Sequence, residues 1–417
     1  MTVRDLREHT AVLDTLDPDA PPADLEPLRE IVGDARVVAV GEGCHFVREF
    51  TTARQRIVRF LAERCGFTVL AFEFGFAEGR ALARWLAGTG GETELPGMHG
   101  TTFSGVTGDM ARWLRRHNET GDHPVEFAGI DVPQAGGTLR PVLEPVADYL
   151  REVDPDAVPL VETALTISGR FDGASMALAG PGWGEMERAD QDALTAALAR
   201  LLLRARALEP HYVARGGRDR YDTALRDIEA ACHTDYMFGA MSALFAGGGL
   251  PLDTSVRERF MSATMRWHME RAAPGTRFVL AAHNNHIQKT PILYGGEPFA
   301  YPMGHYLARE LGADYRALAL THTAGSVPEM EPDGTPGTGF SVVDTPVDPP
   351  GPGGVEGALI GAGLGEAITL TDLRPFAGGP FPGRIRSQSA EMEMPVADAF
   401  DGVLCSPTVT PEVTVAF

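Results

Sequence analysis

Lysine is almost missing from this 417-residue chain: of its 36 basic residues only Lys289 is a lysine, and the rest are arginine. With abundant alanine and glycine beside it, this bias reads as the imprint of a GC-rich coding genome rather than as a functional signal. Long apolar runs are missing too. No stretch approaches the roughly 20 apolar residues that a spanning helix needs, and residues 1–8 are charged, without the apolar centre of a signal peptide. The cytoplasm is the expected location. Cysteine is sparse, and Cys44, Cys65, Cys232 and Cys405 are too scattered for a zinc-type spacing. They are expected as free thiols. Positive charge is in deficit: the formal net charge of -21 argues against nucleic acid or an anionic membrane as partner. The Gly-x-Ser-x-Gly turn of a serine esterase is also absent, which disfavours a serine nucleophile. Oligomeric state is not legible.

What is present is a set of apolar strands that end in chemistry. Residues 36–40 form a mostly β-branched run that passes through Gly41, Glu42 and Gly43 to Cys44 and His45. Similar runs at 68–72, 125–130 and 277–282 end in Glu73, Asp131 and His283. Strands buried on both faces read as continuous apolar runs, and open α/β sheets bind ligands beyond the carboxyl ends of their strands. The recurrence predicts an α/β fold. It has a parallel-rich central sheet with flanking helices and a helical insertion covering the cleft at the strand C-terminal ends. The expected division is a first part of the core at 1–139, a helical insertion or lid at 140–272, and a second part of the core at 273–417. Within the insertion, long helical patterns run at 187–208, 219–245 and 255–271. The proline- and glycine-rich stretch 326–356 is expected as a long irregular loop.

Each chemical candidate carries two readings. His45 beside Glu42 suits a general base oriented by a carboxylate, since imidazole titrates near neutrality; otherwise Glu42 caps a turn and His45 is a loop histidine. On the helix after His45, Arg54 shares the stripe of Phe50, Ile57 and Leu61, so its buried guanidinium needs a carboxylate or a substrate oxygen. His283 and His286, three apart, could share a metal, but two ligands do not complete a site; alternatively Asn284 or Asn285 caps a helix. Asp131 could touch substrate or brace a loop. Cys44 is expected to pack as a small apolar residue rather than act as a nucleophile. Phe46 stands where a dinucleotide fingerprint would need its third glycine, so that reading is weak.

The motif from Gly41 to His45 resembles the GE-x-x-H signature of the erythromycin esterase family. The likeness continues through Glu49 and Arg54, the stretch from Gly66 to Glu73, and the run from Phe127 to Asp131. It extends further through Ala282, His283, Asn284, His286 and Ile287, then Met303, Gly304, Leu307 and Gly312, with an echo from Asp401 to Pro407. The resemblance implies an α/β core with a deep cleft and hydrolysis of a lactone or ester. His45 would be the base that activates water, with Glu42, Arg54, Glu73, His283 and His286 lining the cleft. No cofactor and no metal are expected. Hydrolysis is the default; a biosynthetic cyclisation, elimination or rearrangement at the same site, or small-molecule binding without catalysis, are the rivals. In this reading Glu42 or Glu73 positions His45, Arg54 or His283 stabilises the oxyanion, and Phe46, Asp131 and His286 contact substrate. Two departures stand out: Phe46 where the family usually has glycine, and Arg257-Glu258 where it tends to have Arg-Asp. The first predicts a narrowed or reshaped cleft, and with it little or no hydrolysis of erythromycin-type macrolides.

Overall fold

The computed structural model describes residues 3–91, 93, 94, 108–334 and 339–412. In chain order its strands are β1 (Thr10–Leu13), β2 (Val37–Val40), β3 (Phe67–Gly75), β4 (Glu126–Asp131), β5 (Arg277–Ala281), β6 (Ile292–Tyr294) and β7 (Glu297–Ala300). There follow β8 (Tyr315–His322), β9 (Ser326–Pro332), β10 (Phe340–Pro346), β11 (Ile368–Asp372), β12 (Arg384–Ser387), β13 (Ala390–Glu393) and β14 (Gly402–Ser406). Eight of them form one sheet in the order β1-β11-β14-β8-β2-β5-β3-β4. From β14 to β4 every pairing is parallel, and β11 and β1 close the other edge antiparallel.

The central strands of the sheet are apolar on both faces, as a parallel sheet covered by helices on both sides requires. Successive side chains alternate, so Val38, Val40, Leu70 and Phe72 pack into one buried cluster with Phe50, Ile57 and Leu61 of the helix Arg48–Cys65. Val37, Ala39, Val69 and Ala71 enter a second cluster with Met261 and Met265 of the helix Ser255–Arg271. Seven α-helices lie between β4 and β5, from Arg140–Val153 to Ser255–Arg271. They bury a third cluster of their own, including Leu143, Leu198, Ile228 and Phe238.

The stretch 326–356 departs from the expected irregular loop. β9 and β10 pair antiparallel over seven residues each, with Val327 opposite Thr345 and Phe340 opposite Pro332. Of the described prolines behind that expectation, Pro328 lies within β9, Pro332 and Pro346 end the two strands, and Pro349, Pro350 and Pro352 fall in the connection after β10. Among the described residues, no helix is long and apolar enough to cross a membrane.

Candidate active site

Beyond β2 the chain turns through a loop that only glycine allows. A Cβ on Gly41 would lie 1.8 Å from Asn284 Oδ1, and one on Gly43 would lie 2.8 Å from the Leu320 carbonyl. This close approach packs the loop between the ends of β5 and β8 and presents Glu42 and His45 together. Glu42 Oε1 accepts from His45 Nδ1 at 2.9 Å, and its other oxygen meets Arg54 Nη1 at 2.9 Å. Burial opposes the charge on Glu42, but Arg54 and then His45 hold its carboxyl below the usual range. Because Nδ1 donates to Glu42, the lone pair of neutral His45 sits on Nε2. His45 lines a cleft of about 980 Å³.

Arg54 does not enter that cleft, which corrects its expected role at the oxyanion. The side chain is 1% exposed; Nε donates to the Gly41 carbonyl and Nη2 to the Ala282 carbonyl. Of the two readings of its buried stripe position, the carboxylate partner is the one found.

A second constellation forms beyond β3, β4 and β5. Glu73 Oε1 accepts from Arg257 Nη2 at 2.9 Å and meets His286 Nε2 at 3.1 Å, while its Oε2 accepts from the His283 amide at 2.8 Å. His286 Nδ1 meets Glu258 Oε1 at 2.7 Å. Although burial works against it, Glu258 and Glu73 raise His286 to about 10 and so keep it an imidazolium. Glu73 is held well below the carboxylate range, burial notwithstanding, by His286 and Arg257. Glu73 therefore holds the second histidine rather than His45.

His283 behaves in the opposite way. Burial, with His45 nearby, pushes it down to about 3. Its Nδ1 accepts from the Asn285 amide at 3.2 Å, so the neutral ring carries its proton on Nε2, an atom with no partner among the described residues. The ring centre lies 4.9 Å from that of His45. The His283 side chain thus caps the short helix Asn284–Ile287 while its ring lines the cleft.

Two expected substrate contacts are displaced. Asp131 is 2% exposed and accepts from Arg257 Nε at 3.0 Å and Nη2 at 2.5 Å, so it braces that arginine instead of facing substrate. Phe46 is 7% exposed and is not among the residues lining the cleft. Its φ of +61° is the left-handed conformation that glycine adopts freely, which gives a backbone reason for the glycine usual in the family. Cys44 is fully buried, its thiol donates to the Pro328 carbonyl at 3.1 Å, and burial raises its pKa.

Arg257 and Glu258, met in the sequence only as a departure from the family's pair, both line the cleft. Arg257 Nη1 has no hydrogen-bond partner among the described residues. Helical periodicity alone could not have found them, since they lie on a helix distant in sequence from the strand ends. Other walls come from Met176, Met237 and Met241 of the helical segment, Tyr294 and Phe299 around β6 and β7, and Met392 of β13. No group of three or more His, Cys, Asp or Glu among the described residues is arranged to hold a metal ion.

A mostly parallel α/β sheet places this polar cleft at its strand ends, and comparison with known proteins gives the family. The sequence profile of erythromycin esterase matches residues 62–409. The chain is 34% identical over 395 residues to erythromycin esterase type II of Escherichia coli, covering 93% of this chain and 92% of that one. It is 35% identical over 387 residues to the type I enzyme of the same organism, covering 92% and 93%. The solved structure of a point mutant of erythromycin esterase EreC in its open conformation superposes with a TM-score of 0.91 at 34% identity, covering 98% of this chain and all of that one. A succinoglycan biosynthesis protein shares the fold, with a TM-score of 0.74 at 20% identity, covering 98% of this chain and 97% of that one. The chain belongs to the erythromycin esterase family and is a hydrolase of ester and lactone bonds.

Proposed function

We propose that the protein opens the lactone ring of a macrolide-type natural product by adding water, with His45 as general base. The observation that carries this reading is the Arg54–Glu42–His45 relay. It fixes Nδ1 and leaves Nε2 as the basic nitrogen of a ring that lines the cleft. Nε2 takes a proton from water as the oxygen attacks the ester carbon. The tetrahedral oxyanion collapses, the ring C–O bond breaks, and the proton on His45 passes to the departing alkoxide. The products are an acid and an alcohol on one opened chain.

Stabilisation of the oxyanion falls to Arg257 and His283. Arg257 is held charged by Asp131 and Glu73 against the penalty of burial, and His283 offers an N–H from a neutral ring. Preorganised donors of this kind contribute more in a buried site than in water. In this reading no metal takes part, because His286 spends both ring nitrogens on carboxylates and His283 spends Nδ1 on a backbone amide. A cleft of about 980 Å³ lies at the upper end of the range for small-molecule sites, roughly 300–1,000 Å³. It suits a bulky scaffold, with the helical insertion 140–272 serving as its cover. Since Phe46 does not line that space, its presence gives no ground for excluding erythromycin.

The test is incubation of purified protein with a macrolide panel that includes erythromycin, with and without a chelator, following the mass gain of one water. Ring opening that survives chelation is expected. His45→Ala should lower kcat by about 10²–10⁴-fold at unchanged Tm. Near-wild-type turnover by this variant would remove His45 from the mechanism.

A further inference from the structure

Two non-glycine residues have a positive φ among the described residues, Phe46 at +61° and Gln388 at +53°, and both touch the His45 loop. Phe46 follows His45 directly. Gln388 is distant in sequence, in the two-residue turn between β12 and β13, where Ser387 pairs with Ala390. Glycine or asparagine is the usual occupant of a left-handed turn position. A glutamine held there against its backbone preference points to a use for its side chain.

That use is visible in its bonds. The Gln388 amide donates to the Gly43 carbonyl at 2.6 Å, and its side-chain Oε1 accepts from the His45 amide at 2.9 Å. Its Nε2 donates to Glu329 of β9 at 3.4 Å, and Glu329 also accepts from the Ser389 amide at 3.0 Å. The peptide after Phe46 is held as well, since the Glu412 amide donates to the Phe46 carbonyl at 2.7 Å. The same hairpin forms part of the cleft wall through Arg384, Ala390, Glu391, Met392 and Glu393. One short hairpin therefore carries both a wall for substrate and the bonds that fix the backbone of His45.

We propose that Gln388 is a positioning residue for His45, and that the β12–β13 hairpin couples substrate seated against it to the placement of that ring. This rests on the reading of His45 as the base. Glu42 sets the tautomer and direction of the imidazole; Gln388 sets where its backbone stands. Displacement of a reacting group by about 1 Å can cost on the order of 10²-fold in rate, so one lost backbone anchor has a kinetic consequence.

The experiment uses Gln388→Gly, which removes the side chain and suits the positive φ, so that folding is not what the change attacks. With the best substrate of the macrolide panel, kcat should fall by about 10–100-fold while KM stays within about twofold and Tm is unchanged or higher. Ser389→Ala, an exposed neighbour in the same turn, should leave all three values as in wild type. A wild-type kcat for Gln388→Gly overturns the proposal. So does a fall in kcat matched by a fall in Tm, which marks a merely structural turn. Should His45→Ala retain turnover, the base reading itself fails. An inactive His45→Ala beside a fully active Gln388→Gly removes only the positioning role.

Discussion

Two arginine–glutamate–histidine chains meet at one cleft and differ in how they end. In Arg54–Glu42–His45 the arginine is sealed from solvent, the glutamate takes one ring nitrogen, and the other is left for chemistry. In Arg257–Glu73–His286 a second carboxylate, Glu258, takes the remaining nitrogen and leaves none. In the proposed mechanism the first arrangement makes a base out of a histidine. The second makes a fixed cation, raised to about 10, whose value is its charge and its rigidity. His283 stands between them as a third state, neutral down to about 3 because burial outweighs the nearby carboxylates. Three histidines near one another thus differ in their partners among the described residues: one carboxylate on the ring of His45, two on that of His286 and none on that of His283.

The largest effect should come from breaking the first chain. Glu42→Gln keeps the shape but removes the negative charge facing His45 Nδ1–H, and kcat should fall by about 10²–10⁴-fold, as when the acid of a base-orienting pair is neutralised. It also strips Arg54 of its counter-charge in a site with 1% exposure. Leaving a buried charge unpaired costs about 3–5 kcal/mol, so Tm should fall as well. Steady-state kinetics on protein shown to be folded by circular dichroism measures the first effect, and thermal melting the second. A folded variant with wild-type kcat would mean that Glu42 serves the fold and not the reaction.

The strand ends were legible in the sequence because parallel strands buried on both faces are uninterrupted apolar runs, and their polar terminators stand out. Glu42, His45, Glu73 and His283 were all readable this way. Orientation was less readable. The burial of Arg54 followed from its stripe with Phe50 and Ile57, but whether a carboxylate or a substrate oxygen satisfied it depended on where the Glu42 turn fell. Asp131 ended a strand as the others did, yet it serves Arg257, a partner brought back by a helix over a hundred residues later. The β9–β10 hairpin was hidden because proline and glycine at strand ends resemble the composition of an irregular loop. Gln388 carried no local signal at all. Its importance depends on a backbone angle and on a loop more than three hundred residues earlier in the chain.

A smaller effect, with a pH signature, should follow Glu258→Gln in the second chain. The folded state holds His286 protonated well above its unfolded value near 6.5. Its contribution to stability is therefore complete below about pH 6.5 and is lost as pH rises through about 10. Replacing one of its two anionic partners should bring that loss closer to neutrality, with kcat lowered only on the order of tenfold because His45 keeps its own partner. Melting temperatures across pH 6–10 for wild type and variant, with NMR titration of the ring, would measure it. Superimposable Tm–pH curves would show that Glu258 does not hold the charge on His286.

The smallest catalytic effect is expected at Phe46, where sequence reasoning had placed a contact with substrate. Phe46→Gly relieves a left-handed φ worth about 1–2 kcal/mol. It also deletes an aromatic ring that is 7% exposed, for which truncations typically cost about 3–5 kcal/mol. The second term is larger, so Tm should fall by several degrees. Substrate range and kcat should change by less than about threefold, since the ring does not line the cleft and the Glu42–His45 pair does not depend on it. A macrolide panel run on wild type and variant side by side is the measurement. If the glycine variant gains a bulkier substrate that wild type refuses, the ring does bound the site. Phe46 would then select substrate after all, and the base at His45 would have an aromatic neighbour in the chemistry as well as in the chain.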